Sequence, residues 1–138
     1  MNDLEYLGSL LGTLDAELQR LTEAEPGSDE HNSAVDAAAD AVFRLREKVK
    51  AGHTSKKAYY LAASTDPQGI RVEGICALHG KRIHQLVLDQ GWMHVDDTAV
   101  LAALDDDQLS RYRAVAGRGV ASTFRDAREY LATATGLA

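Results

Sequence analysis

The chain has 138 residues, 45% of them apolar, and a formal net charge of −6, which suits one domain with a true core or a domain carrying a helical arm. No apolar run reaches the roughly 18 residues of a membrane span, no basic segment leads into an apolar one as in a signal peptide, and the lone Cys76 excludes an intrachain disulfide, so the expectation is a cytoplasmic protein without membrane contact. The acidity disfavours nucleic acid overall but is segmented: residues 1–40 carry ten acids against one base, while residues 41–60 carry six bases against one acid.

Leu4, Leu7, Leu11, Leu14, Leu18 and Leu21 recur at alternating three- and four-residue steps, a seam on one face of a helix. The spacing predicts a helix from Asn2 to Glu25. Asn2 is placed to cap it, Glu5 holds the capping-box position, and Pro26 stops it. Gly8 and Gly12 lie one turn apart beside the seam, and each costs up to about 1 kcal/mol in a helix interior unless a close-packed neighbour compensates.

After a polar loop at residues 26–32, Val35, Ala38, Val42, Leu45 and Val49 predict a second helix from Ser33 to Lys50. Gly52 is its expected stop. Residues 1–52 are therefore expected to fold as an antiparallel helical hairpin, with Asp3 and Glu5 brought near Lys48 and Lys50. The second helix is slim and alanine-rich, too slight to cover six leucines. The seam leucines are therefore the predicted self-association surface of a homodimer.

Residues 53–138 read as a small mixed domain, expected to pack with the hairpin as one unit, and the fold class expected for the whole is α+β, dominated by helix. Lys56 to Ser64 suits a short helix or a strand. The run Thr65–Gly69 reads as a turn, and Ile70 and Val72, then Trp92 and Val95, read as short strands. Between them, Glu73 to Gln90 fits either a hairpin turning at His79 and Gly80 or two short helices broken at Gly80. Three helices end the chain. One runs from a cap at Asp96 or Asp97 to Leu104. The next starts at Asp105–Asp107, with Leu109, Tyr112 and Val115 or Ala116 on its apolar side. The last spans Val120 to Ala134, with Val120, Phe124, Ala127 and Leu131 at core spacing.

Three constellations carry chemistry. Ile75 and Cys76, a turn at Gly80 and an inward Leu86 outline two helices that would turn Lys81, Arg82, His84 and Gln85 toward DNA, with Gly91–Val95 as a following strand. In that respect residues 72–95 resemble winged-helix regulators, which implies a dimeric DNA-binding regulator. His79 and Lys81 depart from the pattern, standing where it has apolar residues. Cys76, His79, His84 and His94 are zinc-ligand types but lack a second compact pair, and Cys76 with His94 and Asp96 or Asp97 has the residue types of a cysteine nucleophile. Asp105–Asp107 do not form a calcium loop, because Ser110 and Ala116 stand where glycine and glutamate are required.

The basic run Arg44, Arg46, Lys48, Lys50, Lys56 and Lys57, followed by Tyr59 and Tyr60, is a further candidate nucleic-acid contact, with Lys56 and Lys57 nearest the tyrosines. A solvated helix end paired with the acids of the first helix explains the same charges. The reading taken forward is a non-catalytic binding or regulatory protein without cofactor. It self-associates through its N-terminal helices and engages a macromolecular partner, a protein in preference to DNA. The alternatives are the DNA-binding regulator and, third, a small cysteine- or zinc-dependent enzyme.

Overall fold

The computed structural model describes residues 3–78, Met93 and residues 98–137. Seven helices account for most of them: α1 (Asp3–Glu23), α2 (Asp29–Ala51), α3 (Lys56–Ser64), α4 (Pro67–Cys76), α5 (Thr98–Ala103), α6 (Asp106–Arg113) and α7 (Val120–Thr135).

The hairpin forms as its sequence dictates. Ser28 caps α2 by accepting a hydrogen bond from the His31 amide, so α2 starts earlier than the apolar period alone suggests and the connection shortens accordingly. Ion pairs fix the antiparallel register at both ends: Asp3 with Lys48 at 3.6 Å and Arg20 with Glu30 at 2.9 Å. Ala34, Ala38 and Ala41, with Val35, Val42 and Leu45, are buried in the same core as Leu11, Leu14, Leu18 and Leu21.

Most of the remaining seam is covered from within the chain. Helix α7 lies on both α1 and α2, burying Val120, Phe124, Ala127 and Leu131, and Arg128 holds it in place with a two-pronged bond to Asp15 at 2.9 and 3.2 Å. The leucines that exceed the reach of a slim α2 thus meet α7. Four of the six are buried, Leu7 is half-buried, and Leu4 is 61% exposed.

The expected α+β class is overturned: among the described residues the protein is helical and has no strand. Ile70 and Val72, read as a strand, lie in α4. The reason is local. The sequence Asp66-Pro67, read as part of a turn, is a helix start. The Asp66 carboxylate accepts from the amides of Gln68 at 2.8 Å and Gly69 at 3.3 Å, and Pro67 occupies the first turn, where no amide donor is needed. Val72, Ile75 and Cys76 then fall on one buried helical face. Lys56 to Ser64, ambiguous in sequence, is the helix α3, capped by Ser55. A pair of backbone bonds joins Met93 to the segment after α6, from Met93 N to Arg118 O at 2.7 Å and from Gly117 N to Met93 O at 2.8 Å. Trp92, Val95 and most of the alternative hairpin or helix pair at residues 73–90 lie outside the described residues.

Short α4 sits at the centre, against α2, α3, α6 and α7. Two glycines let its neighbours come close. A Cβ at Gly69 would stand 2.5 Å from the Ala63 carbonyl oxygen of α3, and one at Gly74 would stand 2.5 and 2.7 Å from the Val115 methyls just beyond α6. Gly8 and Gly12 are the opposite case: among the described residues a Cβ at either meets nothing within 4 Å, so no described neighbour offsets their helix cost. Urea denaturation should therefore separate the two classes. Gly74→Ala should cost about 1–3 kcal/mol through overpacking, whereas Gly8→Ala should add up to about 1 kcal/mol. Equal effects at the two positions would contradict the packing described.

Candidate functional site

Helix α4 carries an acid into the core. Glu73 follows Val72 and precedes Gly74 and Ile75, and its residue is only 6% exposed. A buried carboxylate needs hydrogen bonds and counter-charge, and three other helices supply them. Tyr59 of α3 donates its hydroxyl to Oε2 at 2.7 Å, Arg111 of α6 donates from Nη1 to Oε1 at 3.2 Å, and Nη1 of Arg46 on α2 stands 3.7 Å from the same Oε1. The close approach permitted by Gly74 is what brings α6, and with it Arg111, within reach.

Tyr60 completes the cluster. Its hydroxyl accepts from Arg46 Nη1 at 3.3 Å, and the Arg111 guanidinium lies 4.5 Å from its ring centroid, a cation–π contact. Lys50 approaches the same ring at 5.7 Å, and the Tyr59 and Tyr60 rings meet edge to face at 5.3 Å. The outer acids complete the charge balance: Glu47 lies 3.5 Å from Arg46 Nε and Asp107 pairs with Arg111.

These contacts restrict what the groups can do. Both Glu73 oxygens are committed to donors held by packing, so the carboxylate is a structural anchor and is not placed to take a proton from a substrate. Burial, then the adjacent Glu73 charge, raises the Tyr59 hydroxyl well above its ordinary value, keeping it a neutral donor. Burial pushes the Cys76 thiol up to about 12, against the pull of the Arg46 guanidinium. A thiol so protonated and so enclosed is a poor nucleophile and a poor metal ligand.

Outside this anchor, α3, α4 and α6 enclose an open groove of about 820 Å³, within the range of ligand-binding clefts. Its lining is mostly apolar. Tyr60, Leu61 and Ile70 provide the apolar surface, Glu73 and Arg111 lie at its floor, and Lys57 and Asp107 line it with opposite charges. Leu61 is 66% exposed.

The residues singled out from sequence separate into three groups. Leu11, Leu14, Leu18 and Leu21 serve the core, Leu7 flanks it, and Leu4 is open. Lys56 and Lys57 are both exposed at the start of α3, with Lys57 on the groove. Lys81, Arg82, His84 and Gln85 lie outside the described residues, as do His79, His84 and His94 of the zinc reading and His94, Asp96 and Asp97 of the nucleophile reading. Among the described residues no three histidine, cysteine, aspartate or glutamate side chains gather as a metal site, and no helix is long and apolar enough to cross a membrane.

Glu73, Arg46 and Arg111 escaped sequence reading because Arg111 is 38 residues from Glu73 and nothing in their spacing links them. One signal was present: a glutamate in register with Gly69 and Cys76 on an otherwise small and apolar helical face. No family model, curated protein or solved structure matches the chain.

Removing the carboxylate leaves two guanidiniums without their shared counter-charge. Glu73→Ala should cost about 3–5 kcal/mol in chemical denaturation, and Tyr59→Phe, which removes one bond to a charged acceptor, about 1.5–3 kcal/mol. A smaller loss from Glu73→Ala than from Tyr59→Phe would contradict the anchor role. Independently, Cys76 should resist a disulfide-exchange chromophore such as Ellman's reagent in the native state and react only on unfolding. Prompt native reaction would show that the thiol is open.

Proposed function

We propose that this is a non-catalytic binding protein that receives an apolar segment of a protein partner in the groove between α3, α4 and α6. The observation that carries the reading is the groove itself: an open, mostly apolar cleft with the exposed Leu61, Lys57 and Asp107 in its lining, built on a floor where Glu73 already accepts from Arg111 and Tyr59. Such a floor offers shape and apolar surface but no free acid, base or nucleophile, which favours binding over catalysis. A cleft between packed helices suits the apolar face of a partner helix, with anchors at helical spacing. Leu61 extends the apolar surface past the groove, which favours a macromolecular occupant over a small one. The DNA-binding alternative depends chiefly on Lys81–Gln85 and gains no support from the described residues.

Leu61 is exposed, so Leu61→Glu should leave thermal stability almost unchanged, within about 0.5 kcal/mol, while placing a charge on the binding surface. Wild-type and Leu61→Glu proteins, used as equally folded baits in quantitative affinity capture from the source cells, should differ by about tenfold or more in recovery of a specific protein. Equal recovery by both baits, or recovery of duplex DNA in its place, would overturn the reading.

A further inference from the structure

We propose that the groove takes an apolar helical segment of another protein that carries an acidic residue at each end, one seated beside Lys57 and the other beside Arg118. This rests on the groove reading and adds the charge pattern of its occupant.

The groove is longer than its main cavity. Past Ile70 and Ala114, which line both, it continues into a smaller cavity of about 290 Å³ bordered by Thr65, Pro67, Arg71 and Arg118. Lys57 lines only the first cavity and Arg118 only the second, so the two cations stand toward opposite ends of one channel. Between Lys57 and Thr65, α3 alone runs about 12 Å, roughly two turns. A segment of similar length, with apolar anchors at helical spacing, matches the surface between the cations.

The charges along this channel are not equivalent. Its acids already have partners: Glu73 in Arg111 and Arg46, Asp107 in Arg111. Arg71 is committed as well, to Asp126 at 3.1 Å and to the Pro67 carbonyl at 2.8 Å. Lys57 and Arg118 are exposed, and among the described residues neither has a carboxylate partner. Arg118 Nε donates only to the Ala114 carbonyl, at 3.4 Å. Once the internal pairs are set aside, the lining offers an occupant two cations without counter-charge and no such acid.

Lys57 also works against its own helix. With Lys56 it occupies the first turn of α3, which holds no acid, so both add positive charge where the macrodipole is already positive. The acids at the start of α1 do not relieve them, since Asp3 pairs with Lys48. A carboxylate arriving at this end would meet the lysines and the dipole together. At the other end, the Arg118 backbone is tied down, its carbonyl accepting from the Met93 amide at 2.7 Å. Pairs of this exposed kind select among partners more than they add affinity, which comes from the apolar surface between them.

Fluorescence anisotropy at low salt tests this with two labelled synthetic peptides, alike in a helical leucine stripe and differing only at their ends, glutamates in one and lysines in the other. The full chain should bind the glutamate-ended peptide about tenfold or more tighter, and added salt should shrink the preference. The double variant Lys57→Glu/Arg118→Glu, its fold checked by circular dichroism, should reverse the order, which no difference in peptide helicity can do. The uncharged replacement Leu61→Ser should weaken both peptides. Equal binding of the two peptides, or a preference unmoved by the double variant, overturns the acidic occupant, and loss with Leu61→Ser then still supports the groove. Leu61-dependent self-association of the protein alone, seen by sedimentation, would put a second copy in the groove and likewise overturn it. Binding of neither peptide at high micromolar concentration, or binding indifferent to Leu61→Ser, overturns the inference, and the affinity capture then decides the groove reading separately.

Discussion

A carboxylate taken out of water organises this molecule. Glu73 is tolerable in the core only because Tyr59, Arg111 and Arg46 come to it from three other helices. Each partner fixes its own helix relative to α4, so the cluster links α2, α3, α4 and α6. Replacing a whole buried ionic cluster with apolar residues of similar volume is often neutral or stabilising, so such a cluster is weak evidence for added stability as such. Its value here is directional. Apolar contacts tolerate sliding, whereas a carboxylate with committed oxygens fixes where α3 and α6 stand, and those two helices are the walls of the groove.

The backbone makes that geometry available. At Gly69, α3 approaches α4 so closely that a side chain would meet the Ala63 backbone, and at Gly74 the segment after α6 does the same with Val115. A short helix with two such contacts can be surrounded on several sides. The longer α1, α2 and α7 form the stable body behind it, in which the leucine seam and the α7 face are buried together. The body supplies burial, and α4 with its glutamate supplies orientation.

The long, periodic elements were legible in the sequence. Leucine spacing gave α1, valine and alanine spacing gave α2, and Val120, Phe124, Ala127 and Leu131 gave α7, because each repeats one face over several turns and periodicity accumulates with length. Short helices carry too few repeats for that. In α4, a β-branched pair at Ile70 and Val72 suggested alternation, and Asp66-Pro67 suggested a turn, although the same dipeptide is also a helix N-terminus. The pleat of a strand and the first residues of a helix place these side chains almost equally well, and tertiary contact with α2 and α7 settles the choice. The seam's destination was illegible for a related reason. Six leucines announce a partner helix but do not say whether it lies in the same chain, and in α7 the partner of Asp15, Arg128, stands 113 residues along the chain. The anchor cluster was least legible, since an acid and two arginines with no fixed spacing leave no local pattern.

Charge segmentation ties the two arms of the hairpin together. Within one chain the acids of α1 and the bases at the end of α2 set the hairpin register, as Asp3 and Lys48 show. These exposed charges contribute little individually to stability. The fold itself rests on the Glu73 cluster and the buried seam, so the groove, with Leu61 exposed at its edge, stands outside the stabilising core.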